Sequence, residues 1–136
     1  MKKLRIFSDG CSRGNPGPAG IGYVLYDEDG AVLCEVSKPV GARTSNEAEY
    51  IALIEALREA IRLGADEVEC YSDSELLVRQ LRGEYAVRSP RLRTLYRKLI
   101  SMVSEFRSFK ITHIGRGVNR RADELARRAV NRSSPL

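Results

Sequence analysis

The 136-residue sequence has no tryptophan, a single histidine (His113) and only three cysteines, Cys11, Cys34 and Cys70, odd in number and far apart. With no CxxC pair and no second histidine there is neither a disulfide framework nor a zinc site to read. No apolar run approaches the roughly 18 residues that a bilayer span requires. Met1-Lys2-Lys3 leads straight into Leu4-Arg5-Ile6-Phe7 without a secretory apolar region. The expectation is a cytoplasmic protein with no membrane partner. Internal repeats, low-complexity tracts and Pro/Ser-rich linkers are also missing, so residues 1–131 read as one domain, with 132–136 expected to fray. Because the first strand starts almost at Met1, no separate domain is expected before it.

What is present is typical of a packed globular chain: 43% hydrophobic and 30% charged residues. The formal charge of +5 hides an asymmetry. The first 78 residues hold 8 basic and 14 acidic side chains, whereas the remainder holds 15 basic and 4 acidic. Clustered Arg and Lys displace counterions from phosphates, so a polyanion is a partner that suits the second half, with a merely solubilising surface as the alternative.

Hydrophobic spacing gives the element order. Leu4 to Asp9, Ile21 to Tyr26 and Ala31 to Val36 are β-rich, and Asp27-Glu28-Asp29-Gly30 reads as a hairpin turn, so the chain opens as an antiparallel meander. The period then changes. Thr44 and Glu47 form a capping-box pair ahead of Tyr50, Leu53, Ile54, Leu57 and Ile61, and Gly64 ends that helix. A strand at Glu67 to Ser72 leads to a short helix opened by Ser72 and Glu75 and stopped by Gly83. Ser89-Pro90 starts a long amphipathic helix, Phe109 to Ile114 is a fifth strand, and Asn119 is placed to cap a last helix. Right-handed crossovers put the fourth and fifth strands parallel to the first. The predicted fold is therefore α/β: a five-stranded mixed sheet, a meander of three strands plus two parallel strands, flanked by helices.

Four carboxylates fall where this fold gathers them. Asp9 and Asp73 lie at the carboxyl ends of parallel strands one and four, where open α/β sheets place their sites. Asp123 lies in the first turn of the last helix, and either Glu47 or Glu49 opens the first long helix. Helical phase does not separate those two glutamates. Taken singly, each acid also suits a helix dipole or a turn. Together they need a cation, and oxygen-only ligands select hard ions such as Mg²⁺ or Mn²⁺. Two such ions about 4 Å apart activate water and stabilise a leaving oxygen in phosphodiester hydrolysis.

Four motifs carry a resemblance: Ser8-Asp9-Gly10-Cys11-Ser12-Arg13-Gly14-Asn15-Pro16-Gly17-Pro18-Ala19-Gly20; Thr44-Ser45-Asn46-Glu47-Ala48-Glu49-Tyr50; Ser72-Asp73-Ser74; and Asn119-Arg120-Arg121-Ala122-Asp123-Glu124-Leu125-Ala126. In this order and spacing, over nearly the whole chain, they resemble type 1 ribonuclease H. The resemblance implies a ribonuclease H-like fold and hydrolysis of the RNA strand of RNA/DNA hybrids, leaving 5′-phosphate and 3′-hydroxyl ends. It implies a metal-binding tetrad of Asp9, Glu49, Asp73 and Asp123 that takes two Mg²⁺ or Mn²⁺ ions with substrate bound, and it selects Glu49 over Glu47. It places Gly14, Asn15, Ser45 and Asn46 against the minor groove of the hybrid and Thr44 and Asn119 on a phosphate of the DNA strand, with Arg43 close by.

The chain departs from the wider pattern in two places. A flexible-loop histidine is common in the family; here His113 falls in the predicted strand and Arg116 stands between Gly115 and Gly117, as in the archaeal-like branch, so Arg116 is favoured over His113 for the auxiliary catalytic role, with His113 as the alternative. Arginine stays protonated, so that role is electrostatic. The short stretch from Gly83 to Ser89 leaves no room for a basic protrusion, and Arg79, Arg82, Arg88, Arg91, Arg93, Arg97 and Lys98 are the candidates to compensate. Two other readings share these features: a nuclease of the same fold that also cuts double-stranded RNA, and a non-catalytic nucleic-acid-binding module, which the retention of all four acids argues against. A monomer is expected.

Overall fold

The computed structural model describes residues 2–133. Its elements follow the expected order: β1 (Lys3–Ser12), β2 (Gly17–Tyr26), β3 (Val32–Arg43), α1 (Ser45–Arg62), β4 (Glu67–Ser72), α2 (Glu75–Leu81), α3 (Pro90–Val103), β5 (Ser108–His113) and α4 (Arg120–Ser133). The sheet order is β3-β2-β1-β4-β5. The first three strands are antiparallel, and β4 and β5 are parallel to β1, as the crossover rule required.

Alternation along the strands divides the side chains between two layers. Leu4 and Ile6 of β1 and Ile21, Tyr23 and Leu25 of β2 point to α1, where Tyr50, Leu53 and Leu57 complete the main core with Leu77, Leu92 and Leu99. On the opposite face Val24 is buried along with Ala122, Leu125, Ala126, Ala129 and Val130 of α4. The small residues of α4 matter because the helix lies unusually close to β2. A Cβ on Gly22 would sit 2.4 Å from the Ala122 carbonyl oxygen, and one on Gly20 would sit 2.6 Å from that of Ala126. On the α1 side, a Cβ on Gly10 would meet the Ala48 carbonyl carbon at 2.3 Å.

Several boundaries differ from the sequence reading. β3 runs well beyond Val36 because it is an edge strand, where Pro39 costs no ladder hydrogen bond; it pairs with Gly20 next to a register shift. The N-cap of α2 is Ser74, whose Oγ accepts from the Leu77 N–H at 3.2 Å; Ser72 closes the last β4 position, and its Oγ accepts from the Ser74 N–H at 3.1 Å. α4 continues through Arg132 and Ser133, the start of the segment expected to fray. Arg132 anchors that turn on Ser37 of β3, and residues 134–136 lie outside the described ones. Among the described residues no helix stands between α2 and α3, in keeping with the missing protrusion.

Since nothing soft faces the missing Cβ of Gly22, Gly22→Ala forces α4 off the sheet. Overpacking of this kind costs about 1–3 kcal/mol, which lowers the thermal midpoint by roughly 5 °C or more in a domain of this size. Differential scanning calorimetry checks it.

Candidate active site

Backbone pairing creates the site. The β1–β4 ladder stops at Phe7 and Tyr71, but β1 continues to Ser12, so from Asp9 onward β1 borders a notch rather than another strand. Asp73, immediately after β4, turns into this notch, and Glu49 enters it from α1. The Gly10 N–H donates to Glu49 Oε1 at 3.1 Å, and Gly10 is also where α1 touches the sheet. Across the sheet Asp9 pairs with Gly22, the contact point of α4, so Asp123 on the first turn of α4 arrives beside Asp9.

Asp9, Glu49 and Asp73 each offer one carboxylate oxygen, all within 4.8 Å of one another. Asp9 and Glu49 are buried at 4% and 9% exposure. Burial, and then the neighbouring Asp73 charge, push the Asp9 carboxyl up to about 8. Burial and Asp9 push Glu49 well above the ordinary carboxylate range. Asp73 Oδ2 is shielded from solvent and has no hydrogen-bond partner. Crowded, desolvated, oxygen-only donors with an orphaned acceptor fit a hard divalent cation, which supplies the missing charge and the missing contact.

Asp123 differs from Asp9 and Glu49. Although burial works to raise it, a hydrogen-bonded ion pair with Arg127 holds its carboxyl below the usual range. The four acids and Arg116 and Arg127 are therefore not electrostatically uniform: Asp9 and Glu49 are destabilised as anions, and Asp123 is stabilised. Asp9, Glu49, Asp123, Ser45, Arg116 and Arg127 line one open cleft of about 440 Å³. Arg116 is exposed in the loop after β5, its Nε 3.9 Å from Asp73 Oδ2, an ion-pair distance too long for a hydrogen bond. His113 is the last residue of β5, paired in register with Ser72, and exposed.

The choice between the two glutamates has a structural basis. Glu47 accepts from the Thr44 N–H at 2.8 Å while Thr44 Oγ1 accepts from the Glu47 N–H at 3.1 Å, the reciprocal capping box. Its carboxylate also takes Arg91 of α3 at 3.2 Å and Arg43 at 3.8 Å. Glu47 is thus buried in a tie between α1 and α3, and Glu49 alone faces Asp9.

The other candidate residues separate into two groups. Asn15, Ser45 and Asn46 are exposed, Ser45 lines the cleft, and Asn15 Oδ1 accepts from the Ser45 N–H at 3.2 Å. Ser12 Oγ donates to the Arg43 carbonyl at 2.7 Å, fastening the Gly14-Asn15-Pro16-Gly17 turn to the end of β3, and Gly14 has φ of 134°, which favours glycine. Asn119 is not brought to that surface. It is 1% exposed; its Nδ2 donates to the Ser8 carbonyl at 2.9 Å, its Oδ1 is buried without a hydrogen-bond partner, and its backbone carbonyl accepts from the Asp123 N–H at the start of α4. The motif matched, but the side chain is buried between β1 and α4. Sequence reading missed Arg127, whose signal was its position four residues after Asp123 on a helix.

Of the arginines expected to compensate for the protrusion, Arg79 pairs with Glu75 and Glu84, Arg82 bonds the Ile111 carbonyl, Arg91 is tied to Glu47, and Arg93 reaches the Val87 and Arg88 carbonyls. Arg88, Arg97 and Lys98 stand exposed.

Raised carboxyl values have a definite sign in stability. In the folded protein Asp9 and Glu49 retain protons that the unfolded chain releases near pH 4, so folding binds protons between about pH 4 and 8 and stability falls as pH rises through that window. In EDTA the thermal midpoint is expected to drop from pH 5 to pH 8. Asp9→Asn flattens the curve, and a flat wild-type curve contradicts the assignment.

Comparison with known proteins gives the same answer as the geometry. The family model described as "Reverse transcriptase-like" matches residues 7–129. The chain is 40% identical to Ribonuclease HI of Halobacterium salinarum over 95% of its own length and 65% of that protein's. It is 42% identical to a "Bifunctional protein" of Mycobacterium tuberculosis over 95% of this chain and 36% of that one, so it spans less than two thirds of these relatives. Ribonuclease H of Chlorobium chlorochromatii is 35% identical over 98% of this chain and 99% of its own. The Halobacterium salinarum RNase H1 crystal structure superposes with a TM-score of 0.92, covering 96% of this chain and 98% of that one. LC11-RNase H1 in complex with RNA/DNA hybrid is 43% identical, with a TM-score of 0.89 and coverage of 95% and 97%. The chain belongs to the type 1 ribonuclease H family.

Proposed function

We propose that this chain is an endoribonuclease that hydrolyses the RNA strand of RNA/DNA hybrids with the aid of Mg²⁺ or Mn²⁺, leaving 5′-phosphate and 3′-hydroxyl ends. The observation that carries the reading is the convergence of Asp9, Glu49 and Asp73 within 4.8 Å, beside a cleft that Asp9, Glu49 and Asp123 line. A full-domain relative that is a ribonuclease H, and a structural relative that holds an RNA/DNA hybrid, support the substrate class.

Asp9, Glu49 and Asp73 would hold one cation, with Asp123 and Asp9 offering a second position. Bound there, the metal supplies a water activated for in-line attack and charge on the departing 3′-oxygen. The chain's own groups do the rest. Asn15, Ser45 and Asn46 contact sugars and bases in the minor groove, where 2′-hydroxyls mark RNA, and the Gly14 turn brings backbone close to that strand. Thr44 and Arg43, at the N-terminus of α1, would hold a DNA-strand phosphate, and Arg116 would place positive charge near the scissile phosphate or the departing product. The protein acts as a monomer in the cytoplasm.

End-labelled RNA/DNA hybrid, double-stranded RNA, single-stranded RNA and duplex DNA, each with Mg²⁺, Mn²⁺ or EDTA, test the reading. Hybrid cleavage that needs metal and falls roughly a hundredfold or more in Asp9→Asn, with hybrid binding kept or improved, is expected. Comparable cleavage of double-stranded RNA broadens the substrate class, and binding without cleavage contradicts an enzymatic role. Arg116→Ala is expected to slow hybrid cleavage roughly three- to tenfold, on the order of 1 kcal/mol in the barrier. An unchanged rate moves the auxiliary role to His113.

A further inference from the structure

Arg127 is the one arginine of α4, among the described residues, whose partner is a carboxylate of the catalytic cleft. Arg121 is committed to Glu35 and Glu124, and Arg128 to Glu124. Arg127 sits one helical turn after Asp123 and donates Nη2 to Asp123 Oδ2. Its side chain is 66% exposed while that of Asp123 is 15% exposed, so the guanidinium covers the carboxylate from the solvent side. It lines the cleft together with Asp9, Glu49 and Arg116. It also lines the adjoining groove with Arg116, Arg120 and Arg128, and a third hollow with Cys11, Arg13 and Asn131. Any cation entering beside Asp123 must share this space with it.

We propose that Arg127 is a positioning residue that competes with a divalent cation for Asp123: it holds the carboxylate in place in the metal-free protein and gives up the contact when the cation enters. The inference rests on the metal-dependent reading above. Its physical basis is the difference between the two partners. A single exposed arginine four residues away is a weak, easily exchanged tie. A divalent ion that also meets Asp9 carries twice the charge and sits deeper, where screening is less. After exchange the guanidinium remains at the cleft mouth, where its fork matches the oxygens of a phosphodiester.

The sign of one measurement separates competition from simple support. If Arg127 merely braced Asp123, its removal would loosen the carboxylate and weaken metal binding; if it competes, removal strengthens it. The full chain, without nucleic acid, is titrated with MnCl₂ by calorimetry as wild type, Arg127→Ala, Arg127→Lys, Asp123→Asn and the Arg127→Ala/Asp123→Asn double variant. Arg127→Ala is expected to tighten the apparent Mn²⁺ affinity two- to fivefold, Arg127→Lys to stay within twofold of wild type, and the Ala effect to vanish in the Asp123→Asn background. The Mg²⁺ concentration giving half-maximal hybrid cleavage should fall by the same factor in Arg127→Ala. Circular dichroism and thermal unfolding confirm that each variant is folded. Unchanged or weaker Mn²⁺ binding in Arg127→Ala, with wild type binding Mn²⁺ and cutting the hybrid normally, overturns the role of Arg127 alone. Absence of Mn²⁺ binding in wild type overturns the metal reading and this inference with it.

Discussion

The structure depends on two helices approaching a β-sheet more closely than any side chain larger than hydrogen would allow. Gly10 admits α1 and Gly22 admits α4, and these two glycines flank Asp9, one following it in β1 and the other opposite it in β2. Each contact fixes where a helix places its acid: Glu49 lies beside the α1 contact at Ala48, and Asp123 directly follows the α4 contact at Ala122. The spacing between the carboxylates is thus set by backbone packing, the least deformable part of a folded domain. The early end of the β1–β4 ladder supplies the space into which Asp73 turns.

That arrangement works against stability in the absence of a cation. Asp9 and Glu49 are buried next to each other and to Asp73, which drives their carboxyls upward. Native chains tolerate such a cluster where function requires it, because anything that binds the folded state and neutralises the charge recovers the loss by mass action. The surroundings are correspondingly rigid. The capping box at Thr44 and Glu47, the Arg91 tie to α3 and the Asn119 bond to the Ser8 carbonyl all fix backbone within a few residues of an acid. The arginines that touch the acids, Arg116 and Arg127, are by contrast exposed and free to exchange partners.

Much of this was legible in the sequence because it follows from periodicity and from local chemistry. Changes between a period of two and a helical period gave the nine elements in order, and Ser89-Pro90 marked the start of α3. The errors occurred where tertiary contacts decide. Ser72 and Ser74 are both adequate caps, and only the end of the β4–β5 pairing makes Ser74 the one that acts. At Asn119 the burial against β1 and the Nδ2 bond to the Ser8 carbonyl are tertiary contacts that composition does not show. The third strand reads only to Val36 in the sequence, yet as an edge strand it accommodates Pro39 and runs on to Arg43. Composition could not separate Glu47 from Glu49 either, since the two differ in what lies opposite them: Arg91 for one and Asp9 for the other.

The claim on which the account stands is that backbone-fixed carboxylates form one cation site at Asp9. Anomalous diffraction from crystals of the metal-free protein soaked in MnCl₂ tests it most directly. The account predicts a manganese peak in contact with Asp9, Glu49 and Asp73, and none of comparable height elsewhere on the chain except one shared by Asp9 and Asp123. An empty notch, with manganese held only by exposed surface acids such as Asp27–Asp29, would contradict it.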